Sequence, residues 1–563
     1  MRVGAGEAVV AALRAEGVRY LFGLVGSSVI EVLDALYARP DLTFVGVRHE
    51  QVAAHMADGY ARISGGPGVC LATNGPGATN LVTGVATARA CHSPVVVLTG
   101  AVMQAQRYRD AFQELDQGAL FAPVTKLAID VPSAERIPEL IRHAFRVALA
   151  GRKGPVLVNL PRDLLNAAIQ VEVPLPPAPE PPRPGAATDL VERAARLLLA
   201  GRRPVIVAGG GVLWSGATER VLAVANRLAA PVVTSYGHND AVPADHPLVI
   251  GAVGRAGSPE AAEAVRGADV ILAAGTRLGH FTTFFDDRLL PRDARIIQIE
   301  IEEAALGRHY PAEVALLGDV GTILAQLREA LGPGETPDAA ERRVAAAALR
   351  EARRTRVEQL GRTGAVPTKP QRVAWELRRV LPRDAIVVLD ASAGAAPAYD
   401  MLDFFGPRSM LDSLDFGCVG AGFPLALGAK VAAPGRPVVC LAGDGGFLMT
   451  AQDLETAVRL RLGVVTVVLT NGCWGLEKAY QKHFFGGRYV GTEFGNPAFD
   501  AYGRLFGAEG LRADRPEEIR PVLEKALAMD GPVVIEIPVD PDELPYPART
   551  DAVRADRMAP PRR

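Results

Sequence analysis

The chain has 563 residues, 49% of them hydrophobic, and its 61 basic and 63 acidic side chains leave a net charge of only −2. That length exceeds a single hydrophobic core and suggests three or so domains. The even charge balance excludes a general electrostatic pull toward nucleic acid or an anionic membrane, and no apolar run approaches the roughly 20 residues of a membrane span.

In chain order, the N-terminal segment MRVGAGEAVVAALRAEG carries acidic residues within its apolar stretch and reads as an amphipathic helix over Glu7–Glu16, not as a leader. Short apolar runs then alternate with helical periodicity. Strands are expected at Tyr20–Val25, Thr43–Val47, Gly68–Ala72, Pro94–Gly100 and Gly154–Leu160, with a helix over Gln51–Ile63. This βαβ alternation predicts a parallel sheet covered on both faces. The proline-dominated stretch 171–187 reads as a stiff surface linker. Alternation resumes with strands at Val205–Ala208, Pro231–Ser235, Val270–Ala274 and Arg295–Ile301. The alanine- and arginine-rich stretch 336–363 reads as an exposed helical connector. A third α/β unit runs from about 366 to 540, and a polar tail follows. Three units of similar size suggest a coarse duplication. The five cysteines (Cys70, Cys91, Cys418, Cys440, Cys473) include no Cys-x-x-Cys pair, which fits a reducing cytoplasm and argues against zinc or a disulfide framework.

The chemistry concentrates in the third unit. The buried-strand run Pro437–Ala442 leads into Gly443-Asp444-Gly445-Gly446, and a second run, Val464–Leu469, ends at Thr470-Asn471-Gly472. Residues 450–461 between them have helical periodicity. Asp444 and Asn471 therefore stand past the carboxyl ends of successive parallel strands, where open α/β sheets bind ligands. A carboxylate and an amide oxygen are hard ligands of the kind Mg²⁺ takes, and N–H groups of a helix starting at the glycines suit a phosphate. In the first unit, Glu50 ends a strand within Arg48-His49-Glu50; on its own it also reads as a helix-capping carboxylate.

Gly-Asp-Gly followed some two dozen residues later by Asn resembles the thiamine-diphosphate (ThDP) binding motif of ThDP-dependent enzymes, with Gly472 replacing the usual second Asn. Residues 1–165 resemble the pyrimidine-binding domain of the acetolactate synthase group, in FGLVG, VRHEQVAAHMADGYAR, NGPGATN, DAFQE and GPVLVNLPRD. The resemblance implies an α/β fold of three doubly wound parallel-sheet domains. These are a pyrimidine-binding domain (1–167), a central nucleotide-binding-like domain (188–335) and a diphosphate-binding domain (366–545), with linkers at 168–187 and 336–365 and a tail at 546–563. It further implies that Glu50 hydrogen-bonds N1′ of the aminopyrimidine. That bond favours the 4′-imino tautomer, which takes the C2 proton. In LDFGCVGAGFPLALGAK, Gly417 offers its carbonyl to the 4′-amino group and Val419 replaces the bulky residue that bends the cofactor. Asp444, Asn471 and the Cys473 carbonyl hold Mg²⁺, and Gly445 and Gly446 face the diphosphate. Asn74 joins the cofactor residues, as do Ser392 and Gly394 in Asp390-Ala-Ser-Ala-Gly394, where the usual Gly-Gln or Gly-Asn pair is missing. The family also implies a homodimer or homotetramer with sites completed between subunits.

In the central domain, Gly209-Gly210-Gly211, Gly275-Thr276-Arg277, Glu300 and Gly318-Asp319 fall where a nucleotide lies in relatives. FAD stays open for this domain. The Phe-Asp-Asp-Arg element expected directly after the second glycine motif comes later, at 285–288, which argues against it.

Local features look most like sulfoacetaldehyde acetyltransferase, a member of this group. They include Gly26-Ser27, His92 before Ser93-Pro94, FQELDQ, SYGHNDAVPADHPL, GTRLG, WGLEK and VGTE. GDGGFLMTAQDLETAV and Lys126 after Val124-Thr125 look more like acetolactate synthase. The first reading implies transfer of an acetyl unit from sulfoacetaldehyde to phosphate, with release of sulfite. The second implies decarboxylation of pyruvate and carboligation to a 2-oxo acid. Both pass through a two-carbon unit carried on the cofactor. Pocket candidates are shared: Gly26, Ser27, Phe112, Gln113, Lys126, Trp474 and Lys478 for substrate, with Gln113 and His92 also as catalytic candidates. Arg107 and Arg109 are further anion candidates. A reading from another class, a ThDP-fold regulatory protein without activity, would need Glu50 or a metal ligand to be missing, and none is. A Rossmann dehydrogenase would need a clean G-x-G-x-x-G after a strand, which the chain lacks.

Overall fold

The computed structural model describes residues 2–170, 174–286 and 288–544. The expected tail and part of the first linker lie outside them. Three six-stranded parallel sheets form the framework. The first contains β2 (Tyr20–Gly23), β3 (Thr43–Gly46), β4 (Gly68–Ala72), β5 (Val95–Ala101), β6 (Leu127–Asp130) and β7 (Val156–Pro161), in the order β3-β2-β4-β5-β7-β6. Every residue of β4 and β7 is buried, because helices cover both faces. Val69, Leu71, Val96, Leu98, Val156 and Val158 form one core with the Ala5–Ala15 and Ile137–Leu149 helices.

Two short strands were not visible in the sequence. β1 (Arg2–Gly4) pairs antiparallel with β8 (Ala168–Gln170), Val3 opposite Ile169. The N-terminal helix therefore starts at Ala5, and the first residues assigned to the linker form a strand. Three residues per strand are too few to show a period.

The second sheet contains β9 (Pro204–Ala208), β10 (Val232–Thr234), β11 (Val249–Ala252), β12 (Val270–Ala274), β13 (Arg295–Glu300) and β14 (Val314–Leu317), in the order β11-β10-β9-β12-β13-β14. β6, β11 and β14 were also missed, as four-residue strands beside loops. The third contains β15 (Ile386–Leu389), β16 (Met410–Leu411), β17 (Val438–Gly443), β18 (Val464–Thr470), β19 (Glu509–Arg512) and β20 (Val533–Pro538), in the order β16-β15-β17-β18-β20-β19. Numbered within each sheet, the first and third share the order 2-1-3-4-6-5 and the second follows 3-2-1-4-5-6. The expected duplication thus relates the outer two sheets, and the middle one is wound differently.

The chain divides into two compact units. One comprises residues 1–182, 413–438 and 448–464; the other comprises 183–412, 439–447 and 465 onward. In the first, the Glu50–Ser64 helix crosses the Gly422–Ala432 helix at close range. A Cβ on Gly59 would lie 2.3 Å from the Leu425 carbonyl oxygen, and one on Gly428 would lie 2.1 Å from that of Met56. Only glycine permits this approach.

In the second unit the Ala339–Gly361 helix forms as expected, yet it is not a bare connector. Arg342 is 6% exposed and donates to the carbonyls of Gly201 (2.7 Å), Leu228 (2.7 Å) and Arg202 (3.1 Å). Arg356 bridges Glu260 and Asp400, and Arg353 pairs with Asp400 and Asp403. The sequence reading missed this because the docked face mixes arginines with small apolar residues such as Ala339 and Ala346, which leaves no apolar stripe to read. Arg342→Ala removes the guanidinium donor from all three carbonyls, that of Leu228 keeping only Thr336 Oγ1 at 3.4 Å among the side-chain donors, and is expected to lower stability by about 2–4 kcal/mol, measurable as a shift of the urea midpoint.

Candidate active site

In the first sheet the winding reverses between β2 and β4, so the loops after their carboxyl ends part and leave a crevice. The sequence candidates gather along this edge. Gly26 precedes the 3-10 turn Ser27–Val29 after β2. Ser27 is exposed, and the adjoining Ser28 is buried, its Oγ 2.8 Å from Thr73 Oγ1 and accepting from the Asn74 amide at 3.2 Å. Asn74, 5% exposed, donates from Nδ2 to the Gln113 carbonyl at 3.0 Å. Gln113 has φ +60°, a conformation this bond helps to hold. The Gly75 amide donates to Gln117 Oε1 at 3.0 Å, and Gln117 Nε2 donates to Thr99, Gly100 and Asn159. Ser28 and Gln117 thus lock the loops that carry Asn74 and Gln113. Gln117 ends the quoted FQELDQ and Ser28 directly follows Gly26-Ser27, and nothing in their spacing marked them.

Glu50 begins the Glu50–Ser64 helix, whose N-cap His49 accepts from the Gln51 amide at 3.2 Å. The Glu50 side chain is buried, and its Oε2 accepts from Asn80 Nδ2 at 2.9 Å. A Cβ on Gly77 would stand 3.4 Å from Oε1, so glycine there keeps space beside that oxygen. Nearby on the same helix His55 is fully buried, and desolvation lowers its pKa to about 4, so it is neutral. Its Nε2 lies 3.9 Å from Cys418 Sγ. Gly417 follows the 3-10 turn Leu414–Phe416, which packs on the Pro76–Ala90 helix. It takes φ +62° and is exposed, and Val419 beyond it is half-buried. Glu50, Asn74, Gly417 and Val419 belong to one compact unit.

Other candidates are not brought to this edge. His92 precedes β5 and Lys126 precedes β6, so both lie at the amino ends of the strands. Lys126 Nζ donates to the carbonyls of Val147 (2.6 Å) and Ala150 (2.7 Å), closing the end of the Ile137–Leu149 helix. A lysine spent on helix-end carbonyls is not directed at a substrate anion. Arg107 is paired with Asp130 at 2.8 Å. Phe112 does lie on the carboxyl side, 83% exposed.

The third sheet reverses its winding between β15 and β17, and again the candidates follow those strands. A Cβ on Gly443 would stand 2.7 Å from Ser392 Oγ, and one on Gly394 would stand 2.9 Å from Leu469 Cδ1, so the two loops abut. Asp444 is 2% exposed. Its Oδ2 accepts from the amides of Asn471 (2.9 Å) and Gly472 (2.7 Å) and from Asn496 Nδ2 (2.8 Å), and its Oδ1 accepts from the Gly445 amide (2.9 Å). Asn471 Oδ1 accepts from the Cys473 amide at 3.2 Å. Gly472 takes φ +65°, a conformation open to Asn but easiest for Gly, which accounts for glycine at this position.

Residues 472–474 pair with 492–494 through the Gly472 and Thr492 carbonyls. The Cys473 carbonyl is therefore not used by that ladder. Asn496 was not singled out from the sequence. Its Oδ1 is buried without a hydrogen-bond partner, beside Asp444. Among the described residues no three His, Cys, Asp or Glu side chains cluster to hold a metal. A cation here would instead take the Asp444 carboxylate, the Asn471 amide oxygen and the Cys473 carbonyl, hard oxygens that suit Mg²⁺, with phosphate oxygens of a bound cofactor completing the shell.

The helix after the glycines is short, Asp444–Leu448. The expected helix over 450–461 is broken into a 3-10 turn at Ala451–Asp453 and a helix at Leu454–Arg459. Thr450 Oγ1 donates instead to the Gly420 carbonyl at 2.9 Å, and Arg461 turns to φ +51°. Trp474 packs under the turn, where a Cβ on Gly445 would meet its ring at 2.6 Å, and its ring centroid is 5.1 Å from that of Phe494. These contacts give Trp474 a packing role at the turn. Lys478 is 8% exposed and pairs with Glu493 at 3.3 Å. Desolvation opposes its charge, but the Cys473 sulfur and Glu493 outweigh it and raise its pKa, so it stays cationic. In the second sheet the glycine turns after β9 and β12 press on each other, the Gly211 amide donating to the Gly275 carbonyl at 3.0 Å.

Comparison with known proteins accords with this arrangement. Three thiamine pyrophosphate enzyme family models match the chain: the N-terminal TPP-binding domain at residues 3–120, the central domain at 191–327 and the C-terminal TPP-binding domain at 393–537. A probable acetolactate synthase large subunit of Methanocaldococcus jannaschii is 38% identical, over 95% of this chain and 92% of the relative. A sulfoacetaldehyde acetyltransferase of Castellaniella defragrans is 38% identical, over 97% of this chain and 95% of the relative. The acetolactate synthase isozyme 3 large subunit of Escherichia coli is 34% identical, over 98% of this chain and 97% of the relative. No helix among the described residues is long and apolar enough to cross a membrane. With α/β sheets of this winding and TPP-binding models at both ends, the chain is an enzyme and belongs to the acetolactate synthase-like family of thiamine-diphosphate enzymes.

Proposed function

We propose that the enzyme cleaves and forms C–C bonds with ThDP and Mg²⁺, and that its reaction is acetyl transfer from sulfoacetaldehyde to phosphate, giving acetyl phosphate and sulfite. The observation that carries the cofactor assignment is the buried Glu50 carboxylate, with Asn80 on one oxygen and Gly77 beside the other. When bound, ThDP supplies a carbanion at C2 and an electron sink. Glu50 holds the pyrimidine nitrogen and shares its proton, and the Gly417 carbonyl orients the 4′-amino group. Val419, half-buried, shapes the bend. Asp444, Asn471 and the Cys473 carbonyl hold Mg²⁺, and Gly445 and Gly446 leave room for the diphosphate, with Ser392 and Gly394 on the facing loop. Gly26, Ser27, Asn74 and Gln113 line the substrate side. The assembly in this reading is a homodimer or homotetramer, and FAD is not called upon.

What favours acetyl transfer is the spread of acetyltransferase-like segments through all three domains, from Gly26-Ser27 to WGLEK. The second reading, decarboxylation of pyruvate and carboligation, is favoured by the motif GDGGFLMTAQDLETAV and by the acetolactate synthase relatives. The deciding experiment supplies purified protein, ThDP and Mg²⁺ with either pyruvate or sulfoacetaldehyde plus phosphate. Sulfite with acetyl phosphate is the expected result. Acetolactate with CO₂ would transfer the enzyme to the second reading.

A further inference from the structure

β3 delivers the chain to Glu50 through only Val47, Arg48 and His49, and this connection is held by a segment some 400 positions later in sequence. The Arg48 amide donates to Asp453 Oδ1 at 2.9 Å, a separation of 405 positions. Thr456 Oγ1 donates to the same oxygen at 2.8 Å and to the Gly46 carbonyl at 3.4 Å. Arg459 Nη2 also donates to the Gly46 carbonyl, and its Nε is held by Glu455 at 2.9 Å. All these residues lie in one compact unit.

Asp453 is completely buried, and its Oδ2 has no hydrogen-bond partner. Burying a carboxylate with one oxygen unsatisfied is costly, and the charged groups facing it only partly offset that cost. Desolvation raises its pKa to about 6, the Arg48 amide, the Thr456 hydroxyl and His49 oppose the rise, and Glu455 adds to it. Its two satisfied bonds end on the backbone just ahead of Glu50 and on the neighbour that braces the same backbone. Proton transfer depends on geometry, and a displacement of about 1 Å can cost about 10²-fold.

We propose that Asp453 is a positioning residue for Glu50: it fixes the Arg48 amide and, with Thr456 and Arg459 on Gly46, sets the backbone from which the Glu50 carboxylate projects. The proposal rests on the reading of Glu50 as the group that holds the cofactor's pyrimidine. A mere structural anchor would alter stability without altering chemistry at saturating cofactor.

The test compares Asp453→Ala, Asp453→Asn and Glu50→Gln in the full-length protein with two readouts. One is amide hydrogen exchange of peptides covering residues 46–50 in the cofactor-free protein. The other is C2 proton exchange at saturating ThDP and Mg²⁺. Asp453→Ala is expected to speed amide exchange there and to slow C2 exchange about 10- to 100-fold. Asp453→Asn, whose Oδ1 still accepts both bonds, is expected to restore the protection and most of the rate. If Asp453→Ala leaves C2 exchange unchanged while Glu50→Gln slows it, the positioning role is overturned and the Glu50 reading stands. If Glu50→Gln itself is unchanged, both fall. Should Asp453→Ala not fold, Thr456→Val carries the test: a several-fold loss supports the proposal, and no loss overturns it.

Discussion

Glu50→Gln is expected to leave the fold intact and to slow exchange of the ThDP C2 proton by about 10²- to 10⁴-fold, the usual contribution of a positioned acid–base group. The fold survives because the amide keeps an oxygen able to accept from Asn80 Nδ2, now at 2.9 Å from Oε2, and because the helix start is capped by His49, not by Glu50. The chemistry is lost because an amide cannot share a titrating proton with a pyrimidine nitrogen. Isotope exchange at C2, followed by quenching and NMR, measures the step without any knowledge of the substrate. An unchanged rate would remove Glu50 from the mechanism. Far-UV circular dichroism on the same sample separates this from misfolding.

Asp444→Ala is expected to abolish Mg²⁺-dependent ThDP binding at concentrations that saturate the wild type. One carboxylate oxygen gathers the amides of Asn471 and Gly472 together with Asn496 Nδ2. Its removal takes away the proposed cation ligand and leaves these donors unpaired, at about 1–3 kcal/mol for each that stays buried. The 471–473 turn would then lose the geometry that presents Asn471 Oδ1 and the Cys473 carbonyl. Asn496→Ala is the milder case, with about a 10- to 100-fold loss of metal affinity, as for other residues that orient a ligand. Trp474 lies against Gly445, so its fluorescence should report both titrations. Wild-type affinity in Asp444→Ala would exclude the site.

The candidate cofactor residues were legible because each is a residue type at a place that strand periodicity marks. Gly-Asp-Gly after one buried run and Asn after the next can be read without partners, as can Glu50 at the end of β3. Lys126 shows where this fails. A lysine after a threonine has the same sequence whether it faces an anion or the last carbonyls of a helix, and here it takes the carbonyls of Val147 and Ala150. Residues 450–461 show it again. Their spacing is helical, but Thr450 and Asp453 spend their side chains on Gly420 and Arg48, and the helix breaks between them.

The sequence alone determined the α/β class, the family, and Glu50, Asp444 and Asn471 as the chemical candidates, because these depend on periodicity and on residue type at strand ends. Only the tertiary structure decided the rest. It showed that the outer sheets share one winding and the middle sheet another, that the 413–438 segment packs with the first sheet's unit, that arginines bolt down the Ala339–Gly361 helix, and that Asn80 meets Glu50, Asn496 meets Asp444 and Asp453 meets the Arg48 amide. The physical reason is the same throughout. A side chain's role is set by the partner it meets, and hydrogen bonds spanning up to 413 positions leave no local mark on composition or period.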